Sequence, residues 1–188
     1  MRLIPALLAL ACSGGTDKTE STSASEGPRP NIIVVTLDTL RADALGSYGN
    51  KAKPSPNIDA LAASGYRFTR AYTVTPLTIP AHSSLWTSLL PPRHGVQDNG
   101  DFFLDEGAVT LAEKFQAAGY QTMASVGAEV TSHHWGFAQG FDSYFDDMGS
   151  SREKEKNRWR VERPGTEVVS DAMGWFQNDR SPAKPFFA

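Results

Sequence analysis

NIIVVTLD, residues 31–38, is the segment from which the fold is best inferred. Five of its first seven residues are apolar, and most of these are β-branched. Pro30 and Asp38 bound the run. A short, continuous apolar run of this kind is typical of a strand that is buried on both faces. We therefore expect the folded domain to begin here, with the first strand of a largely parallel sheet.

Helix-like and strand-like patterns alternate after this segment. Further strands are predicted over residues 66–73, 121–127 and 184–188, and helices over residues 57–65, 79–90, 108–120 and 166–178. The first of these helices has Asn57 as its predicted N-cap and Gly65 as its stop signal. Strands that alternate with helices indicate an α/β fold in which helices flank a mostly parallel sheet.

Length and charge restrict the class of protein. A chain of 188 residues with 40% hydrophobic residues is long enough for about one globular domain with a real core. The net charge of −3 argues against a nucleic-acid partner, which would require a basic surface. With one cysteine in the chain, no intramolecular disulfide can form.

That cysteine ends an N-terminal segment that looks like an export signal. MRLIPALLALAC, residues 1–12, has one arginine, a short apolar stretch and small residues before Cys12. The order resembles the lipobox of bacterial lipoproteins, in which the cysteine carries the lipid; a plain signal peptide and an ordinary buried apolar segment are the alternatives. Residues 13–30 are rich in Ser, Thr and Gly and are predicted to be a flexible linker. We expect an exported protein of the bacterial cell envelope, lipid-anchored to the membrane.

Two oxygen-bearing side chains stand out as candidates for chemistry. Asp38 follows the first predicted strand, and reactive groups collect at the carboxyl ends of strands in such sheets. Its carboxylate is a hard ligand suited to Ca²⁺, Mg²⁺, Mn²⁺ or Zn²⁺, or it caps the next turn. Thr78 lies where a predicted helix begins, beside unpaired N–H groups that attract anions. It is a candidate nucleophile and metal ligand, or an ordinary N-cap.

Five ordered motifs carry a resemblance to a known family. They are PNIIVVTLDTLRADALGSYG (30–49), SPNIDALAASGYRFTRAYT (55–73), TIPAHSSLWTSLLPPRHGV (78–96), LAEKFQAAGYQTMASVG (111–127) and GFAQGFDSYFDD (136–147). In this order they resemble the sulfatase family of the alkaline phosphatase superfamily. The resemblance implies an alkaline-phosphatase-like fold, a metal-binding role for Asp38 and a nucleophile at Thr78. Thr78 opens the pentapeptide that corresponds to the family's Cys/Ser-x-Pro-Ser-Arg motif.

Several residues depart from the family pattern. Thr78 is neither the Cys nor the Ser that sulfatases convert to formylglycine, and its extra methyl group precludes an aldehyde. Superfamily members that act on phosphoesters use a threonine directly as the nucleophile. His82 replaces the family's arginine, Thr39 replaces the second Asp of a metal-binding pair, and Ala128 replaces a substrate-contacting lysine.

Three further residues are candidates for the site. His82 lies one helical turn after Thr78, where it faces the anion or carries a proton, or simply packs in the first turn. Asn99 is a candidate donor to a non-bridging oxygen of the substrate, or a turn residue beside Gly100. His94 is a candidate substrate contact.

The resulting hypothesis is a metal-dependent hydrolase of phosphate or sulfate esters of small molecules, glycans or lipids. The alternatives are a phosphoryl-group transferase of the cell envelope and a catalytically inactive binding protein with the same fold. The family's remaining metal ligands lie in an Asp-His pair far downstream, beyond residue 188. We therefore expect residues 31–188 to be the N-terminal part of a catalytic domain and to be inactive alone.

Overall fold

The computed structural model describes residues 29–51, 55–149 and 161–188. The predicted signal peptide, Cys12 and all but the last two residues of the predicted linker lie outside the described residues. Within the described part of the chain, no helix combines the length and the apolar character that a membrane span requires.

A small parallel sheet organises the structure. It contains β1 (Gln121–Ser125), β2 (Ser143–Phe145) and β3 (Phe186–Phe187) in the order β2–β1–β3. Both strand pairs are parallel, which confirms the predicted parallel sheet. The strands predicted at 121–127 and 184–188 are present in shorter form, whereas β2 was not predicted.

The described residues contain five helices: α1 (Pro56–Ser64), α2 (Thr78–Thr87), α3 (Pro91–His94), α4 (Leu111–Ala117) and α5 (Gly165–Gly174). A π-helical turn, Trp175–Asp179, continues α5, and 3₁₀ turns occupy Ala42–Ala44, Gly46–Tyr48, Glu129–Thr131 and His133–Trp135. Every predicted helix is present with altered ends. Ser55, not Asn57, is the N-cap of α1, and α2 ends early because Ser88 adopts a left-handed φ of 59°.

The first predicted strand differs most from expectation. Ile32 forms a single parallel bridge to Phe187, and the Val34 N–H donates to the Ala188 carbonyl at 2.7 Å. Val35 is 75% exposed, so the prediction of a strand buried on both faces is wrong for the described chain. Burial needs a packed layer on each face, whereas this segment has its contact with β3 along one edge.

The strand predicted over residues 66–73 is also wrong. These residues have no regular secondary structure, and Tyr66 and Phe68 are 97% and 72% exposed. Their alternating apolar pattern finds no partner strand among the described residues.

The core lies around α2 and the sheet. One cluster joins α2 to the loops after it and comprises Ile79, Val96, Leu104, Trp135 and Phe137. A second joins α4 to β3, and a third packs the end of α5 on β1 and β3. Trp86 on α2 touches both the first and the second cluster, so this helix is fixed directly to the body of the domain.

Candidate active site

Thr78 is the first residue of α2, and its side chain does not cap the helix. The N-cap is Leu77, whose carbonyl accepts the first intrahelical hydrogen bond from the Ala81 N–H at 3.0 Å. The Thr78 hydroxyl instead donates to Oδ2 of Asp38 at 3.0 Å. Two of the predicted site residues, forty positions apart, therefore lie in direct contact.

Asp38 lies in a turn that holds its carboxylate at both oxygens. Oδ1 accepts the Thr39 N–H at 3.0 Å, and Oδ2 accepts the Thr78 hydroxyl. Thr39 has a φ of 56°, in the left-handed region that a β-branched residue rarely adopts. Such backbone strain concentrates where the surrounding structure holds a functional group in place. The sequence analysis did not predict this left-handed φ, because it considered Thr39 only for the side chain that it places beside Asp38.

Asn99 reaches the N-terminus of α2 from a distant loop. Its Oδ1 accepts the N–H of Ile79 at 2.9 Å, so Asn99 satisfies a helix N–H that has no intrahelical acceptor. This contact fixes the orientation of the amide: the oxygen is occupied, and the NH₂ group remains as the donor. Asn99 thus lies at the N-terminus of α2, against the residue that follows Thr78.

His82 lies one turn along α2 from Thr78. Its Nδ1–H donates to the Thr78 carbonyl at 3.0 Å, and its ring meets Phe137 edge-on at 6.1 Å between centroids. With Nδ1 as the donor, Nε2 of the neutral ring is an acceptor. The half-buried ring also lines the groove described below, so the structure brings His82 together with Thr78 and Asp38.

His94 lies elsewhere. Its side chain is only 5% exposed, and Nδ1 accepts the Val96 N–H at 3.2 Å while Nε2–H donates to the Ser84 hydroxyl at 2.8 Å. Burial lowers the pKa of the His94 imidazole. Both ring nitrogens are engaged by the protein itself, and the predicted substrate contact stays a prediction that this placement does not support.

An open groove of about 620 Å³ lies against Asp38, Thr78 and His82. Its polar lining includes Asp38, Thr78, His82 and Ser84, and its apolar lining includes Leu37, Leu40, Tyr72, Val74, Leu77 and Leu85. Ser84 was missed by the sequence analysis. It lies six residues after Thr78, a spacing that does not place it on the same stripe of the helix, so no pattern marked it.

The donor atoms fit part of a cation site. A carboxylate and a hydroxyl are hard oxygen ligands of the kind that Mg²⁺, Mn²⁺ or Ca²⁺ prefer. Among the described residues there is no group of three or more His, Cys, Asp or Glu side chains suited to hold a metal. The contact between Asp38 and Thr78 therefore presents two hard oxygen atoms, and the described residues form no complete cation site.

Comparison with known sequences identifies the family. The sulfatase family model matches residues 30–188. The chain is 30% identical to an N-acetylglucosamine-6-O-sulfatase of Bacteroides thetaiotaomicron over 194 aligned residues, which cover 98% of this chain and 33% of that enzyme. It is 36% identical to an arylsulfatase of Clostridium perfringens over 94 residues, covering 50% of this chain and 20% of the relative. The chain thus spans a third or less of these two relatives.

Solved structures support the same assignment. A protein solved in complex with its substrate D-glucosamine-2-N,6-O-disulfate superimposes with a TM-score of 0.68 at 26% identity, covering 85% of this chain and 33% of that one. A phosphonate monoester hydrolase of Agrobacterium radiobacter shares the fold, with a TM-score of 0.65 at 20% identity, covering 85% of this chain and 40% of that one. These likenesses confirm the predicted α/β fold of alkaline-phosphatase type. A match over nearly all of the chain outside its first 29 residues, together with this fold, shows that the chain belongs to the sulfatase family.

Proposed function

We propose that the full-length protein is a metal-dependent hydrolase of phosphate or sulfate esters that uses Thr78 as its nucleophile. The observation that carries the proposal is the 3.0 Å hydrogen bond between the Thr78 hydroxyl and Asp38 at the N-terminus of α2. A hydroxyl needs an adjacent acceptor, or a metal, to become an effective nucleophile. Membership of the sulfatase family and similarity to enzymes named as sulfatases support the ester-hydrolysing class.

The proposed reaction begins at Thr78. Oγ1 gives its proton to Oδ2 of Asp38 and attacks the phosphorus or sulfur atom, while the bond from that atom to the leaving alcohol breaks. The departing oxygen takes a proton from Nε2 of His82, which acts in its protonated form as the general acid. Water then attacks the phosphorus or sulfur atom of the covalent Thr78 ester and gives one proton to Nε2 of His82. The bond from that atom to Oγ1 breaks, Oγ1 takes back its proton from Oδ2 of Asp38, and phosphate or sulfate is released together with the free hydroxyl.

A divalent cation completes the proposed site. Asp38 and Thr78 would hold it, and it would supply positive charge that lowers the pKa of the hydroxyl and stabilises the ester's charged oxygens. The residue types are compatible with Ca²⁺, Mg²⁺, Mn²⁺ or Zn²⁺. Thr39 offers no carboxylate beside Asp38, so we expect this half of the shell to be weaker than a pair of acidic residues would be.

Asn99 and the end of α2 stabilise the ester anion in this proposal. The Asn99 amide is oriented by Ile79 so that its NH₂ group donates to a non-bridging oxygen. The N-terminus of α2 is also the positive end of the helix dipole, which favours the same negative charge. Preorganised donors of this type commonly contribute a large share of transition-state stabilisation.

The test compares ester classes in the full-length protein. Hydrolysis of 4-nitrophenyl phosphate, bis(4-nitrophenyl) phosphate and 4-nitrophenyl sulfate would be measured after treatment with EDTA and after addition of each metal. We expect metal-dependent hydrolysis of at least one ester. Thr78→Ala should lower kcat by about 10³-fold or more, as losses of nucleophiles do.

Thr166→Ala is the matched control, because Thr166 is also a first-turn threonine of a helix but is exposed on α5. It should keep full activity. Activity that survives Thr78→Ala would refute the threonine mechanism. Transfer of the phosphoryl group to an added alcohol in preference to water would indicate a transferase, and no activity on any ester with any metal would favour a binding protein.

We further propose that the protein is exported and lipid-anchored through Cys12. The support is the order of the sequence: an apolar segment ending at Cys12, then a polar linker, then the domain. Mass spectrometry of the mature N-terminus should find an acylated cysteine. Cys12→Ala should move the protein from the membrane fraction to the soluble fraction, and recovery of the unprocessed Met1 terminus would contradict the anchor.

A further inference from the structure

Residues 94–99, here called the strap, run back along α2 from its middle to its N-terminus. At one end, His94 donates through Nε2–H to the hydroxyl of Ser84 at 2.8 Å. At the other end, Oδ1 of Asn99 accepts the Ile79 N–H at 2.9 Å. Between them, Val96 is fully buried in the cluster that contains Ile79. The strap is therefore fastened to the helix at two ends and packed against it in the middle.

Chain length alone does not fix the position of Asn99. Ser84 and Ile79 are five residues apart on the helix, a rise of about 7.5 Å. Five residues of extended chain can span about 17 Å. Gly95, with a φ of 82°, turns the chain sharply after α3. Since the strap has this much slack, its contacts with α2 decide where Asn99 lies: the hydrogen bonds at its two ends and the packing of Val96 between them.

His94 is suited to be the fixed point of the strap. Its imidazole accepts the Val96 N–H at Nδ1 and donates from Nε2, so a single neutral tautomer satisfies both partners. The ring is almost fully buried, and burial lowers its pKa, which keeps it neutral. Loss of the Ser84 hydroxyl leaves the buried Nε2–H without an acceptor, so the ring is expected to turn and to release Val96.

We propose that Ser84 and His94 are positioning residues that hold the strap so that the Asn99 amide stays on the N-terminus of α2 beside Thr78. Ser84 also lines the groove, but its hydroxyl oxygen is engaged by His94, and the proposal assigns both residues an action through Asn99. This indirect role replaces the predicted substrate contact of His94. The catalytic consequence rests on the proposed function, because the position of Asn99 matters to the reaction only if an ester anion binds at that helix end.

Hydrogen exchange of the Ile79 amide tests the positioning directly. This N–H has no intrahelical acceptor, so its protection depends on Asn99, and Pro80 contributes no amide to confuse the assignment. In the full-length protein, Asn99→Ala removes the acceptor and so gives the exchange rate of the Ile79 N–H without its hydrogen bond. Ser84→Ala and His94→Gln should each raise the rate at least about threefold, the effect of losing roughly one hydrogen bond.

The matched controls are Ser64→Ala, an exposed serine in the last turn of α1, and His134→Gln, an exposed histidine. Both should leave the Ile79 rate unchanged. If His94→Gln fails to fold because a buried ring is lost, Ser84→Ala still tests the proposal, because Ser84 is only partly buried. Unchanged Ile79 exchange in Ser84→Ala, with faster exchange in Asn99→Ala, would overturn the proposal.

A double-mutant cycle tests the catalytic consequence. Ser84→Ala should lower kcat by about tenfold with little change in KM, part of the 10²- to 10³-fold effect of losing an anion-stabilising donor. In an Asn99→Ala background the same substitution should have almost no further effect, because both changes remove one contact. Equal losses of kcat in the wild-type and Asn99→Ala backgrounds would contradict an action of Ser84 through Asn99. If the wild-type protein hydrolyses no ester, the proposed function fails, while the exchange experiment still decides whether the strap is held by Ser84 and His94.

Discussion

Residues 31–77 and residues 78–148 have similar apolar patterns but very different burial. None of the described residues from 31 to 77 is buried, although this region contains the most β-branched segment of the chain. The second region contains most of the buried side chains, including Ile79 and Trp135, each fully buried. Asp38 lies in the first region and Thr78 opens the second. The candidate site is therefore built on one firmly packed wall, α2, and one exposed wall.

The difference shows what apolar content does and does not imply. A run such as IIVV becomes a buried strand only when packed layers lie on both of its faces. In the second region, α2 has such a layer, because the loops after it fold back onto Ile79. In the first region the apolar side chains face outward, and the position of Asp38 depends on strand-edge hydrogen bonds and on Thr78 itself.

The largest expected difference between the two regions is in the free energy of unfolding, when a buried residue of one and an exposed residue of the other are substituted. Ile79→Ala should lower the free energy of unfolding by about 2–5 kcal/mol, since it removes fully buried methyl groups and leaves a cavity. In the same 188-residue chain, Val35→Ala, at a side chain that is 75% exposed there, should change it by less than about 0.5 kcal/mol. Urea unfolding measures both. A similar loss at both positions would remove the distinction between the two walls.

The loss of a polar contact should also lower the free energy of unfolding more in residues 78–148 than in residues 31–77. Thr110→Ala breaks the capping box of α4, in which the buried Thr110 hydroxyl accepts the Glu113 N–H at 3.1 Å, and should cost about 1–2 kcal/mol. Ser55→Ala removes the contact of Ser55 with Asp59 at 3.0 Å in the first region. It should cost less, because water replaces a partly exposed partner. Equal costs by thermal unfolding would contradict the comparison.

Substitution in the strained turn at Thr39 should have a smaller effect, and it should raise the free energy of unfolding. Thr39→Gly removes a β-branched side chain from a φ of 56° and should raise the free energy of unfolding by about 1 kcal/mol. As the control, Thr36→Gly should lower stability, because Thr36 has no such φ angle. A lower unfolding midpoint for Thr39→Gly would show that the threonine is not strained.

The smallest expected effect is the pH dependence that His94 confers on the packed wall. The pKa of His94 is lowered by burial from its ordinary value of 6.5, so below about pH 6.5 the unfolded chain binds a proton that the native state does not. Its contribution to stability is therefore complete above that pH and declines as the pH falls. His94→Gln should make the decrease in unfolding free energy between pH 7.5 and 5.5 smaller than in the unaltered protein. An unaltered decrease in His94→Gln would contradict a buried neutral ring.

Much of the architecture was readable from local patterns. Helix periodicity and stop signals predicted α1, α2, α4 and α5, because these signals act within a few residues. The alternation of elements predicted a parallel sheet. The order of motifs pointed to the sulfatase family and so to Asp38 and Thr78 as a pair, although roles for both remain proposals.

The remaining features depend on contacts between residues that are distant in the chain. That the Thr78 hydroxyl donates to Asp38 instead of capping its own helix is decided by where residue 38 lies once the 31–38 segment pairs with β3. The cap on Ile79 comes from Asn99, twenty residues later, and the partner of His94 is Ser84 on another helix. Periodicity and composition are local, whereas burial, hydrogen-bond partners and left-handed backbone at Thr39 follow from how the chain folds back on itself. For this reason the sequence indicated most of the helices and the candidate residues, and the tertiary structure alone determined which strands form and which side chains meet.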